Sequence, residues 1–182
     1  MIYGYARIST RKQNIERQVR NILREYPDAH IIREVYTGTK IQSRKELQKL
    51  INQIRPGDSI VFDHVSRMSR NADEGFELYE KLYYNGIELV FLKEPHINTA
   101  TYKKALETNI QLTGTNVDYI LEGINNYLMA LAKEQIRLAF AQAEKEVEDL
   151  HQRTREGMQT ARLNGKPIGQ RLGAKQKEKK AG

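Results

Sequence analysis

Four short apolar runs, rich in residues that favour β-strands, recur along the first half of the chain. They read IYGYARI, HIIREVY, SIVFDHV and IELVFL, at residues 2–8, 30–36, 59–65 and 87–92. The segments between them carry apolar residues at helical spacing and contain turn signals such as PGD at 56–58. This βαβαβαβ order predicts a parallel sheet, because each connection has to cross a face of the sheet before the next strand begins.

The predicted fold class is therefore α/β. We expect a mainly parallel sheet of four or five strands with helices on both faces, plus a long C-terminal dimerisation helix. The expected crossover helices cover 11–26, 44–54 and 74–86, the last ending at Gly86 as a C-cap. The segment SRMSRNADEG at 66–75 is expected to be a polar connection.

A second pattern begins at about Asn116, where the chain continues without proline as far as Pro167. Its apolar residues recur at helical spacing, and a helix of roughly 45 residues would span about 70 Å. Helices of that length are typical of coiled coils and subunit interfaces. We therefore expect an α/β domain at 1–115, an oligomerisation helix at 116–165 whose last part forms an arm that runs onto an anionic partner, and a basic tail at 166–182 that is disordered or truncated.

The positive charge of the chain is concentrated at its end. The net charge is +7, and the residues from Arg153 onward, with nine basic and two acidic side chains, account for all of it. A cationic arm of this kind typically binds nucleic acid, although the last ten residues could equally be a solubilising tail. The expected DNA-binding residues of the arm are Arg153, Arg155, Arg162, Lys166 and Arg171.

The composition excludes several classes of protein. The chain has no cysteine, so it has neither a disulfide framework nor a cysteine nucleophile. No apolar run approaches the roughly 20 residues of a membrane span, and the N-terminus reads as a strand and not as a signal peptide. We expect a cytoplasmic protein that does not contact membranes.

Polar residues gather where the predicted strands end. Ser9 follows the first strand, two residues after Arg7, while Arg67 and Arg70 follow the third strand. Ligands of parallel sheets bind at these carboxyl ends. A lone serine there is usually a turn former, but several arginines around one serine would repel each other without an anion between them. Because guanidinium groups match phosphate oxygens, the pattern favours phosphoryl chemistry.

The motifs YGYARIST, SRKEL and SRMSR, together with AQAEKEVEDLHQRTREGMQTARLNGKPIG, resemble the catalytic domain of the resolvase/invertase family of serine recombinases. The resemblance implies a site-specific recombinase in which Ser9 attacks the scissile DNA phosphate and forms a 5′-phosphoserine. It implies no metal and no cofactor. It assigns Arg7, Arg67 and Arg70 to the phosphate, and its supporting active-site residues match Tyr5, Gln18, Arg44 and Asp58.

The resemblance also implies binding partners, and the sequence differs from the family pattern at several places. The expected partners are double-stranded DNA and other copies of the chain, as a homodimer on each site and a tetramer in the synapse. Ser66 stands where the family usually has aspartate, and the stretch 93–116 is longer than in small resolvases. About 17 residues follow Gly165, too few for a helix-turn-helix, so we expect the DNA-reading module to lie outside this sequence.

Three alternatives remain at this stage. The chain could be a catalytically silent DNA-binding or assembly module, a phosphate-binding hydrolase or a structural coiled-coil protein. The sequence lacks the phosphate-binding loop motif that would support a hydrolase. A structural coiled-coil protein would leave the arginines at the strand ends unexplained. A silent module has no need for the complete set of one serine and several arginines, which favours the recombinase.

Overall fold

Four parallel strands form a single sheet in the computed structural model, which describes residues 1–9, 13–38, 40–107 and 110–165, side chains at 105–107 excepted. The strands are β1 (Ile2–Ile8), β2 (His30–Val35), β3 (Ser59–Phe62) and β4 (Glu88–Phe91), hydrogen-bonded in the order β2-β1-β3-β4. In this register Tyr5 of β1 lies beside Ile32 and Phe62. The predicted α/β class and parallel sheet are confirmed, with four strands in the described part of the chain.

Six α-helices connect and follow these strands in the described residues. They are α1 (Glu16–Glu25), α2 (Lys45–Gln53), α3 (Val65–Met68), α4 (Ala72–Tyr84), α5 (Thr99–Glu107) and α6 (Asp118–Leu163). The expected crossover helices and the long helix are present. One expectation was wrong, because the segment 66–75 is not simply a polar connection: it contains most of α3 and the start of α4.

The strand order explains which helix covers which face. From central β1 the chain moves outward to β2 and then crosses back to β3, so right-handed connections put α1 on one face and α2 and α4 on the other. On the first face Ile22 of α1 packs with Val61. On the second face Leu47 of α2 and Tyr79 of α4 pack with Phe62. Helices on both faces are therefore confirmed, and the second face carries the larger core.

β1 is enclosed on all sides. It has a strand on each edge and a helix layer on each face, so all six residues from Tyr3 to Ile8 are buried, including Arg7. The connection from β1 leads to one side of the sheet and the connections to β3 and β4 lead to the other, so the order of strands changes direction between β1 and β3. In open parallel sheets the crevice at such a point binds ligands. The fold therefore directs Ser9 and the residues after β3 to one crevice.

The outer edge of β4 is covered by side chains. The amide of Leu89 donates to Thr99 Oγ1 at 2.9 Å, and the amide of Phe91 donates to Asn98 Oδ1 at 2.7 Å. Tyr102 of α5 then packs edge-on against Tyr79 and Tyr83. Part of the longer stretch noted at 93–116 thus occupies the position that a fifth strand would take.

The long helix α6 is divided between two compact units, which are Met1–Glu144 and a second unit that begins at Lys145. Within the first unit, Lys133 forms an ion pair with Glu80 at 2.9 Å, and Arg137 lies 4.4 Å above the ring of Phe76. Since rising numbers in α6 meet falling numbers in α4, these two helices run antiparallel. No helix in the described ranges is both long and apolar enough to span a membrane.

Candidate active site at the carboxyl ends of the strands

A hydrogen bond joins the candidate nucleophile to one of the predicted arginines. Arg70, in the turn between α3 and α4, donates from Nη2 to Ser9 Oγ at 2.6 Å. The main chain of Ser9 is fixed as well, since its amide donates to Gln13 Oε1 and its carbonyl accepts from Thr37 Oγ1. Both Ser9 and Arg70 are partly exposed. The serine hydroxyl is therefore held at the surface of the crevice beside a guanidinium group.

Two other arginines of the cluster are fully buried and bind main-chain carbonyls. Arg7 donates from Nη1 to the carbonyl of Tyr36 at 3.2 Å and from Nη2 to the carbonyl of Ser66 at 2.8 Å. Arg44 donates from Nη1 to the carbonyls of Arg67, at 3.2 Å, and Met68. Arg7 and Arg44 therefore hold α3 in place, and neither presents a guanidinium face to solvent.

The positive charges in this crevice oppose one another. Burial lowers the pKa of Arg7, and the nearby charges of Arg44 and Arg70 lower it further. Burial and Arg70 likewise lower the pKa of Arg67, while burial and Arg44 lower that of Arg70. Guanidinium groups stay protonated at neutral pH. The cluster therefore favours an anion, which would relieve the mutual repulsion.

Tyr5 and Gln18 are buried next to the arginine cluster, where Tyr5 binds Glu34 and Gln18 binds the main chain of Arg7. The hydroxyl of Tyr5 donates to Glu34, and burial followed by this bond raises its pKa. Glu34 also accepts from the first amides of α2, those of Glu46 and Leu47, at 3.2 and 3.3 Å. Gln18 pairs with both the amide and the carbonyl of Arg7, at 3.1 and 2.9 Å. Neither Tyr5 nor Gln18 has a hydrogen bond to Ser9 in the described structure.

The structure does not bring Asp58 into the active site, and that prediction is corrected. Asp58 precedes β3 and lies at the amino-terminal ends of the strands, where it binds the N-terminal ammonium of Met1 and the amide of Arg55. These bonds hold the pKa of Asp58 below its usual value. With a rise of about 3.3 Å per residue, the length of β1 puts roughly 25 Å between Met1 and Ser9. The PGD motif marks a turn on the opposite side of the sheet.

Two acids beside the cluster were missed from the sequence. Glu34 is an acid within a strand run, and Asp63 directly follows β3 in SIVFDHV. Both are buried, and Asp63 accepts from Asn21 Nδ2 at 2.8 Å. An acid at the end of an apolar strand run is the same signal that identified Ser9, so Asp63 could have been predicted.

Helix α6 also contacts the segment that carries Arg70. The carboxylate of Glu144 accepts from the amide of Ala72, the first residue of α4, at 3.1 Å and from Asn71 Nδ2 at 3.4 Å. An acid at a helix start is favourable because the first amides lack intrahelical partners. The turn at Arg70 is thereby fixed from the side of α6.

The predicted DNA-binding arm lies partly in the second unit of the structure. Arg153, Arg155 and Arg162 are on α6, and all three are exposed. Lys166 and Arg171, like the tail at 166–182, lie outside the described residues.

Comparison with known proteins gives the same family. The model described as resolvase, N-terminal domain, matches residues 2–167. The Tn917 transposon resolvase of Enterococcus faecalis is 29% identical over 172 residues, covering 93% of this chain and 75% of that protein. A resolvase of Clostridium perfringens (strain 13 / Type A) is 26% identical over 168 residues, covering 91% of this chain and 74% of that protein.

Solved structures also resemble the chain. The N-terminal catalytic domain of TP901-1 integrase aligns with a TM-score of 0.47 and 20% identity, over 71% of this chain and 97% of that one. A resolvase family site-specific recombinase from Streptococcus pneumoniae gives 0.44 and 20%, over 88% of this chain and 97% of that one. On the family match, which extends over most of its length, the chain belongs to the resolvase family of serine recombinases, enzymes that cut and rejoin DNA at specific sites.

Proposed function

We propose that this recombinase cuts DNA by forming a covalent ester between Ser9 and the scissile phosphate. The Ser9 oxygen attacks phosphorus and the bond from phosphorus to the 3′ oxygen breaks. The serine proton passes to solvent, and the departing oxygen takes up a proton as a free 3′-hydroxyl. The DNA end remains as a 5′-phosphoserine, so a second 3′-hydroxyl can reverse the step and rejoin the strands without an energy source.

The observation that carries this proposal is the hydrogen bond from Arg70 to the Ser9 hydroxyl. Arg67 and Arg70 are partly exposed, so we assign them to the phosphate oxygens. Charge that develops on phosphorus in the transition state is stabilised by such preorganised donors. Arg7 and Arg44 are assigned a different part, because their buried groups hold α3 while adding to the positive potential of the crevice.

We further propose that two copies of the chain bind each DNA site and that four assemble when two sites are paired. The support is an apolar stretch of α6 in the first unit that is exposed in the single chain. Burying such a surface against a second copy is favourable at about 25 cal/mol per Å² of apolar area. The exposed residues are Tyr119, Ile120, Ile124, Tyr127, Leu128, Met129 and Leu131.

The DNA contacts proposed for the arm rest on its exposed arginines, Arg153, Arg155 and Arg162. Arginines on one helix neutralise phosphates whatever the base sequence, so they add affinity and little specificity. We propose that they hold the duplex while Ser9 reacts.

A covalent trapping assay tests the nucleophile. On a duplex carrying a nick beside the scissile phosphate, the unchanged chain should form a protein–DNA adduct that survives denaturation, and Ser9→Ala should form none while still binding DNA. Ser59→Ala is the matched control, because Ser59 lies at the amino edge of the sheet, bonded to Glu88, and its loss should leave the adduct unchanged. An adduct that persists in Ser9→Ala would place the nucleophile elsewhere. No adduct from the unchanged chain would favour the silent DNA-binding module.

A further inference from the structure

Asp63 is a buried acid whose hydrogen bonding is incomplete. It follows β3 and is 1% exposed. Its Oδ1 accepts from Asn21, whereas Oδ2 is buried without a hydrogen-bond partner among the described residues. Leaving a polar atom of a side chain buried without a hydrogen bond is costly, and such atoms in native structures call for an explanation.

Nε of Arg7 and Nε of Arg67 are buried donors in the same crevice that also have no hydrogen-bond partner among the described residues. The electrostatics distinguish between them. Asp63 is the carboxylate that favours the charged form of Arg67, raising a pKa that burial and Arg70 lower. The side chains with the largest electrostatic effect on the pKa of Arg7 are those of Arg44, Arg70, Tyr5 and Arg67. Asp63 is thus coupled to Arg67.

The residue next to Arg67 in the sequence explains why Arg67 would need the carboxylate of Asp63. The residue directly before Arg67 is Ser66, where the family usually has an acid. In this chain the Ser66 carbonyl accepts from Arg7, and its amide donates to His64 Nδ1. Residue 66 therefore supplies no negative charge to Arg67, while an acid three positions earlier is buried beside the cluster.

We propose that Asp63 is the positioning residue for Arg67, accepting from its Nε when the other guanidinium nitrogens turn to the phosphate. This rests on the proposed function of Arg67 at the scissile phosphate. In the free chain Arg67 Nη1 donates to the carbonyl of Arg7 at the long distance of 3.4 Å, so little holds the group before the ligand arrives. A carboxylate behind an arginine fixes the plane of the guanidinium, which sets where its outer donors point.

A double-mutant cycle between Asp63 and Arg67 tests the pairing. Asp63→Asn keeps the size of the side chain and an acceptor for Asn21 but loses the charge. On the nicked duplex we expect single-turnover adduct formation to slow on the order of 10- to 100-fold, the effect of misplacing a reacting group slightly, with DNA affinity unchanged. Arg67→Lys should slow the reaction too, and the double variant should be no slower than Arg67→Lys within about twofold, because paired groups lose their effect together.

The matched control is Asp28→Asn, which removes one negative charge from an exposed turn. It should leave the rate unchanged and thus separate the position of Asp63 from the general effect of net charge. A rate for Asp63→Asn equal to that of the unchanged chain, or effects that simply multiply in the double variant, would overturn the pairing. If the unchanged chain forms no adduct at all, the proposed function fails instead, so the two failures are distinguishable.

A second measurement uses only the unchanged chain, so it does not depend on whether the variants fold. In the unchanged chain, the Nε–Hε signal of Arg67 can be followed by NMR as inorganic phosphate or the nicked duplex is added. We expect the signal to shift downfield and its proton to exchange with water more slowly, as a bond to Asp63 forms. A signal that neither moves nor becomes protected at saturating duplex would overturn the inference.

Discussion

Gly75 should tolerate no side chain, although it lies in a helix where alanine is ordinarily the better residue. It is in the first turn of α4, facing α6. A Cβ built there would be 2.4 and 2.6 Å from two ring carbons of Phe140 and 2.9 Å from Cβ of Ser69. Real Cβ atoms do not approach other atoms so closely, so Gly75→Ala has to displace the ring or separate α4 from α6.

The size of the effect follows from two opposing terms. Replacing a helical glycine by alanine stabilises by up to about 1 kcal/mol, whereas forcing an extra methyl into a packed core costs about 1–3 kcal/mol. The ring of Phe140 is 1% exposed and has no open space to turn into. We therefore expect a net loss of about 1–2 kcal/mol in the free energy of unfolding, measured by urea denaturation. The melting temperature should fall by about 2–4 °C per kcal/mol.

The matched control is Gly157→Ala on α6, which lies outside the apolar stretch proposed to pair with a second copy and where a Cβ would have no heavy atom within 4 Å. This variant should lose no stability, since only the helix propensity term acts. Phe140→Leu should relieve the overlap, so the double variant with Gly75→Ala should lose less than the sum of its single variants. If Gly75→Ala proved as stable as the unchanged chain, the close contact between α4 and α6 would be refuted.

Two further predictions concern stability. Glu34→Gln removes the charge that accepts from Tyr5 and from the first amides of α2, and should cost about 1–3 kcal/mol in the free energy of unfolding; an unchanged urea midpoint would contradict this role. Burial raises the pKa of Tyr5 and of Tyr79 in the folded protein above the value of about 10 that tyrosine has in the unfolded chain. The stability that the two protonated side chains contribute is therefore complete below about pH 10, and it is lost as the pH rises from the unfolded pKa through the folded pKa. Urea unfolding from about pH 9 to pH 11 should therefore show a decline that is smaller in Tyr79→Phe, and an equal decline in both chains would contradict the assignment.

The sheet could be predicted because its signals are local. Each strand run and each crossover helix has its own periodicity, and the closeness of Ser9 and Arg70 follows from the rule that parallel strands share a carboxyl edge. The burial of Arg7 could not be predicted in the same way. Its acceptors are the carbonyls of Tyr36 and Ser66, which are far away in sequence.

Helix α3 could not be predicted either, because contacts from residues distant in sequence stabilise it. A single helical turn of four residues is too short to be stable alone, but donors from Arg7 and Arg44 bind its carbonyls and hold it in place. The misplacement of Asp58 has a different cause: a motif match carries no information on which end of a strand its residues occupy. Asp58 precedes β3, so its distance from Ser9 follows from the direction of the strand.

The capped edge of β4 limits how copies of this chain can associate. With the amides of Leu89 and Phe91 already bonded to Thr99 and Asn98, an incoming polypeptide finds no row of free donors there. Continuous intermolecular sheets, and the fibrous aggregates that grow from them, are disfavoured at this border. A protein that must gather several copies of itself on DNA is thereby protected from the commonest unwanted form of β-sheet self-association at one of its two borders.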